Sequence, residues 1–212
     1  MRGTPITPIA VAFVAAVTFA IAAAAPAAHA ATYDIDRAHS EVNFKVKHMT
    51  ISTVTGRFDD FDGTFDFDPA TSTLKAARVT IRSASITTDN DRRDNHLRSD
   101  DFLNAVKYPQ ITFESTGVTP GKDGHFQVTG NLTIRDVTKP VVLDVDFGGA
   151  VHDAMMGDRA AFTATTTINR LDYGVKWNKT LDSGGLMVSN DVQIQIGVEG
   201  KQETGGASTT GK

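Results

Sequence analysis

The chain has 212 residues, 21 of them Lys or Arg and 25 Asp or Glu, for a net charge of −4. That mild acidity argues against a nucleic-acid partner, which needs a basic face. The absence of cysteine rules out disulfide staples and a thiol nucleophile, so stability must come from a buried core, which one domain of this length can supply.

The first thirty residues read as an address. Ile9 to Ala25 is an apolar run rich in Ala and Val, Arg2 precedes it, and Ala28-His29-Ala30 has the small-x-small pattern of a signal peptidase site. Cleavage after Ala30 is expected, with an uncleaved membrane anchor as the alternative because the run approaches spanning length. Cleavage removes Arg2 and no acid, leaving 182 residues at −5. An exported chain without cysteine suits a bacterial periplasm. Residues 31–200 are expected to form the folded domain, and the small polar residues 201–212 a disordered tail.

The mature chain alternates in period two almost throughout. Tyr33 to Asp36 is an opening strand. Glu41 to His48 sets Val42, Phe44 and Val46 against Glu41, Asn43, Lys45 and Lys47, a half-buried strand with one wet face. Ser52 to Phe58 continues as β, with a bend expected at Thr55-Gly56. Phe61, Gly63, Phe65 and Phe67 face one way until Asp68-Pro69 ends the strand. Ala77, Val79 and Ile81 open the next, which runs out near Ile86 into the charged segment Asp89 to Asp94.

The period then changes. Ser99 is placed to cap a helix, Asp100 and Asp101 suit its positive end, and Phe102, Leu103 and Val106 share one helical face. Tyr108-Pro109 stops it. Strand spacing resumes with Ile111, Phe113 and Ser115. A turn at Pro120 to Gly124 leads to His125–Arg135, with Phe126, Val128, Leu132 and Ile134 on one face. Lys139-Pro140 is expected to break that run, Val141 to Phe147 to resume it, and Gly148-Gly149 to turn again. Phe162, Ala164, Thr166 and Ile168 form another strand, followed by a loop from Arg170 to Leu186. The last strand places Val188, Val192, Ile194, Ile196 and Val198 together.

About eight antiparallel strands result, and both a sandwich and a barrel fit. A barrel of that size is either filled by side chains or holds one small ligand. Gly63, Gly130 and Ala164 among the large apolar residues either keep the interior open or let it taper and pack solid.

Catalytic motifs are sparse. There is no G-x-S-x-G, and Ser72-Thr73-Leu74-Lys75 lacks the motifs that accompany S-x-x-K in acyl-transfer enzymes. The histidines show no metal-binding spacing, and the Asp59-Asp60-Asp62 group fails the calcium-loop pattern at its first and last positions, so no metal site and no catalytic residue is expected. Arg92, Arg93, Asp94, His96 and Arg98 either tie the crossover to the barrel by salt bridges or meet a ligand's polar head, which makes Arg98 and His96 the head-group candidates.

These residues carry a resemblance. HSEVNFKVKH from His39, VTGRF from Val54, DNHLRSDDF from Asp94, KYPQITF from Lys107, VTGNLTI from Val128, Thr138-Lys139-Pro140 and INRLDYGV from Ile168 follow the order and spacing of the YceI family of exported lipocalin-like proteins. The chain resembles that family from Tyr33 to Val198, departing at Arg135-Asp136, a turn where the family often has glycine. The resemblance implies an all-β, eight-stranded antiparallel lipocalin-like barrel with a short helix crossing between strands. It also implies an apolar pocket for a polyisoprenoid, quinone-like or fatty-acid-like lipid, held for transport, storage or stress protection, with no catalysis and no further cofactor.

The expected pocket residues are Phe44 and Val46, Phe65 and Phe67, Ile111 and Phe113, Phe126, Val128 and Leu132, Phe162 and Ile168, and Val192 and Ile194, with solid core as their other role. Tyr173 and Trp177 either gate the mouth or form a packing cluster. A membrane-protein partner and a homodimer are both compatible with such a carrier. The competing functions are a hydrolase or isomerase on a lipid-like substrate, which needs a titratable group in the pocket, and a ligand-free secreted interaction protein.

Overall fold

The structure, a computed structural model, describes residues 30–182 and 184–203. The segment read as a signal peptide and the tail beyond residue 203 lie outside the described residues.

Eleven strand segments form one antiparallel sheet that closes on itself where β1 pairs with β11. They are β1 (Ala31–Ile35), β2 (Glu41–His48), β3 (Ser52–Phe58), β4 (Phe61–Asp68), β5 (Thr73–Arg82), β6 (Ile86–Thr87), β7 (Gln110–Pro120), β8 (His125–Ile134), β9 (Val137–Asp153), β10 (Gly157–Asn169) and β11 (Val188–Gln202). Three pairs of segments behave as interrupted single strands. β1 and β2 both lie along β11, β1 at Gly200 to Gln202 and β2 at Val188 to Gly197. β4 then pairs with β1 and β3 with β2, while β5 and β6 pair with β4 and β3. Read so, the ring has eight strands in up-and-down order, the expected fold class. Closure gives β1 a partner on each side, β4 and β11, while β6 pairs with β3 alone among the described residues.

The helix is not where the apolar spacing puts it. α1 spans Asp91–Arg98, upstream of Ser99, which caps its C-terminus. The Asn90 side chain accepts a hydrogen bond from the Arg93 amide at 3.0 Å, and Asp91 and Asp94 lie in the first turn, where the dipole favours them. Residues 99–107 form turns, in which Phe102 is buried but Val106 is 96% exposed. Tertiary contacts hold α1. The buried Asp94 carboxylate accepts from the Thr88 amide at 2.8 Å and the Thr87 hydroxyl at 3.0 Å. Burial raises its pKa, but the Thr88 and Thr87 hydrogen bonds outweigh that and hold it below the usual carboxylate range.

Four other local expectations also change. Gly56 is no bend; it sits within β3 opposite Phe44. Pro140 does not break its strand. It lies in the part of β9 that pairs with β8 at Asn131 but is not reached by β10, so its missing N–H is not needed. Gly148-Gly149 is a bulge rather than a turn: Ala161 opposes Gly149 and Phe162 opposes Phe147, leaving Gly148 extra, and Gly149 has φ +135°. The last strand continues past the expected domain end, with Lys201 opposite Asp34 and Gln202 opposite Tyr33.

Between β1 and β2, Asp36 caps a short 3-10 turn, Arg37–His39. Arg159 Nη1 donates to Asp36 Oδ2 at 2.8 Å and to Glu199 Oε1 at 2.6 Å. Arg159 chiefly, and His39 next, pull the Asp36 carboxyl from 3.8 to about 2. A carboxyl depressed in the fold stabilises it above the unfolded value, and that contribution is lost as pH falls through the folded value. Urea-unfolding midpoints are expected to fall as pH drops from 3.8 to about 2, and less steeply in Asp36→Asn. Equal slopes for both proteins would remove Asp36 from the acid transition.

Candidate ligand cavity

Inward side chains of the strands leave a cavity of about 410 Å³ inside the barrel. That lies within the roughly 300–1,000 Å³ typical of small-molecule sites. Along β8 its lining runs from Val128 to Ile134, and along β11 from Val188 to Val198. Six residues of strand make about 20 Å, so the space is elongated.

One end is blind. Tyr33, Phe65, Phe67, Phe126, Phe147 and Phe162 meet there in a packed aromatic cluster. Tyr33 stacks on Phe65 with centroids 5.2 Å apart, and Phe162 meets Phe65 edge-on at 5.3 Å and Phe67 at 5.4 Å. Phe65 and Phe162 reach the lumen. Phe67 and Phe126, expected as pocket residues, do not line it; they lie behind that floor and pack against Phe162.

The walls come from the expected faces. Phe44, Val46, Ile111, Phe113, Val128, Leu132, Ile168, Val192 and Ile194 all line the cavity. Two glycines keep the bulkier rings out of the way. A Cβ on Gly56 would stand 2.3 Å from Phe44 Cζ, and one on Gly130 would stand 2.4 Å from Phe113 Cζ. Each ring therefore lies against bare backbone of the neighbouring strand. Ala164 lines the lumen directly, whereas Gly63 makes room for the β5 backbone and Ile35.

The other end, the mouth, is bordered by chain rather than by sheet: α1, the turns after it, and residues 170–182 and 184–187. His96, Phe102 and Trp177 pack there, with centroids 4.8 Å apart for His96–Trp177 and 4.9 Å for His96–Phe102. Trp177 thus belongs to a packing cluster and also lines the mouth, as does Tyr173. Of the head-group candidates, His96 lines the cavity, with Nε2 2.8 Å from Asp101 Oδ2. Arg98 does not. Its guanidinium donates to the Ala84 and Ile86 carbonyls, both at 2.8 Å, and fixes α1 to the end of the β5–β6 strand. The basic residues here tie the crossover down through carbonyls and Thr88, not through salt bridges to the barrel.

Arg93, one of the charged group read as tying the crossover or meeting a polar head, lines the mouth, and so does Arg170, which was not among the expected residues. Arg170 is 5% exposed. Its Nε donates to Ser189 O at 2.9 Å, Nη1 to Val175 O at 2.7 Å and to Trp177 O at 2.9 Å, and Nη2 reaches Val188 O at 3.4 Å. Burial lowers the guanidinium pKa. The alternation gave a signal for it: Phe162, Ala164, Thr166 and Ile168 are all inward, and Arg170 is the next step.

The chemistry of the wall is uneven. Its ionisable groups are Lys47, His48, Arg93, His96, Arg170 and Tyr173, and no carboxylate is among its lining residues. Outside the cavity, Asp36, His39 and Glu199 bring ligand-type atoms within 4.8 Å of one another, and Arg159 supplies a positive charge to both carboxylates.

Fold and site together define a class: an eight-stranded up-and-down barrel around an elongated, blind-ended apolar cavity. The chain belongs to the YceI-like domain family, which it matches over residues 33–200. A UPF0312 protein of Shewanella baltica (strain OS185) is 42% identical over 176 residues, covering 82% of this chain and 89% of that one. The solved Campylobacter jejuni YCEI protein aligns with a TM-score of 0.66 at 37% identity, over 80% of this chain and 96% of that one. A polyisoprenoid binding domain from Saccharophagus degradans, implicated in plant cell wall breakdown, shares the fold with a TM-score of 0.59 at 19% identity, over 82% and 99%.

Proposed function

We propose that the barrel binds one long-chain lipid, an isoprenoid or a fatty-acid-like chain, and serves as a periplasmic carrier or store rather than an enzyme. One observation carries this reading: an apolar cavity, closed at one end by aromatic rings, with its ionisable groups named above. Membership of the YceI-like family supports it, as does the fold shared with a polyisoprenoid binding domain. The reading of residues 1–30 as an export signal supports the location.

The energetics suit a chain without much polar recognition. Each methylene taken from water contributes about 0.8 kcal/mol, so ten of them supply affinity with few hydrogen bonds. A hydrolase or isomerase needs an acid–base group at the reacting carbon; the titratable groups of the wall, Lys47, His48, Arg93, His96, Arg170 and Tyr173, all lie at the mouth, and the lining deeper in carries none.

Organic extraction and mass spectrometry of protein purified from its own host tests the reading, with a stoichiometric prenyl or acyl lipid as the expected result. Ala164→Trp sharpens it. Ala164 lines the lumen, so an indole there takes the room of several methylenes. Displacing three of them weakens binding roughly fiftyfold. A variant that folds like the parent and still co-purifies with a full load of lipid would place the ligand elsewhere.

A further inference from the structure

We propose that the rim at the cavity mouth docks on an anionic phospholipid bilayer, through the tip of the β2–β3 hairpin and the loop that faces it. The purpose of such docking rests on the carrier reading above; the docking itself does not.

The tip is Met49-Thr50-Ile51, and Ile51 is 83% exposed. The Met49 amide donates to Met187 O at 2.8 Å, and the Met187 amide to Lys179 O at 2.9 Å, so the tip and the loop form one surface. Met49 and Leu186 are exposed on it. The surface is continuous with the cavity, since Lys47, His48, Met187 and Val188 line the mouth. Val106, 96% exposed, lies in the turns that close the same end of the barrel.

Charge selects the occupant. The mature chain is net negative, yet Lys47, Lys176 and Lys179 are exposed here, and Asp182 is the one acid in residues 45–54 and 176–188. The ion pairs among the described residues use arginine and histidine, never lysine, so these three ammonium groups are unpaired there. Exposed apolar side chains on the same segments as lysines without ion pairs match a bilayer whose headgroups are negative and whose interior is hydrocarbon, while the turns that carry Val106 also hold Asp100 and Asp101. The opposite end of the barrel supplies a contrast. Met155 is 95% exposed in the β9–β10 turn, but residues 151–158 carry Asp153 and Asp158 and no Lys or Arg. An acidic apolar tip is repelled by the same membrane.

The test is flotation of the purified protein with vesicles of phosphatidylcholine alone and of phosphatidylcholine with phosphatidylglycerol. Binding is expected only with the anionic lipid and is expected to weaken with salt. Ile51→Asp should weaken it about tenfold or more, and Lys47→Glu or Lys179→Glu at least about fivefold each. Met155→Asp should leave it unchanged. Equal loss in Ile51→Asp and Met155→Asp, or no flotation at all, overturns the proposal. So does a dimer in solution that Ile51→Asp dissolves while no vesicle is bound, since the tip then covers a second copy. Lipid extraction from the same preparations separates the two readings. Protein that floats but holds no lipid keeps the docking surface and loses the carrier, and protein that holds lipid but never floats does the reverse.

Discussion

Arg170→Met is expected to destabilise the protein by about 3 kcal/mol or more and to loosen the mouth before the rest of the barrel. The side chain joins segments that no strand ladder connects. Its guanidinium bonds Val175 and Trp177 carbonyls on one side and Ser189 and Val188 carbonyls on the other. Val188 O keeps a second donor, the Asn178 amide at 2.7 Å, but the other three lose the partner described here. A buried acceptor stripped of its donor costs roughly 1–3 kcal/mol. Methionine gains back some desolvation of the charge, which is why the sum falls short of three full penalties. Arg170→Lys is the informative companion. An ammonium carries the charge but lacks the planar fork, so it reaches fewer of the four carbonyls and should lie between the other two. Urea midpoints measure the total, and amide exchange at residues 175–189 measures the local loosening. A loss within about 0.5 kcal/mol for methionine would reduce Arg170 to a bystander.

Phe162→Ala should cost about 3–5 kcal/mol, the range for removing a fully packed aromatic side chain. Its ring meets four others, Phe65, Phe67, Phe126 and Phe147, with centroids between 5.3 and 6.4 Å away. It is also part of the cavity floor. The same change therefore deepens the lumen. Bound chains should become longer on average in the variant, while total stability drops. A variant that loses stability but keeps an identical lipid profile would show that the floor does not limit chain length. Phe67→Ala serves as the control, because Phe67 supports the cluster without facing the lumen.

Period-two spacing revealed most of this barrel because its strands are wet on one face and buried on the other. Glu41 to His48 and Val188 to Glu199 carry that pattern cleanly, and both are strands. The helix was hidden for a physical reason. DRRDNHLR has a single aliphatic residue, Leu97, and its stability lies in Asn90, Asp94 and Arg98 contacts that no periodicity records. Phe102 and Leu103 advertised a helix but are buried or half-buried in turns instead. Pro140 and Gly148 looked like breaks because the sequence does not say where a strand is paired on one side only, or where a bulge absorbs a residue. Alternation also tells inward from outward without telling depth. Phe67 and Phe44 alternate alike, yet one backs the floor and the other lines the wall, a difference set by strand register around the ring.

The aromatic floor has one more consequence. A tube stoppered at its far end admits a hydrocarbon chain from a single direction, methyl end leading. The polar group of a lipid held in this way would come to rest beside His96, Arg170 and Trp177, which line the mouth. On the proposed carrier reading, every occupant would leave in reverse, headgroup foremost, so a donor and an acceptor meeting this rim would encounter cargo in the same orientation and need not turn it round.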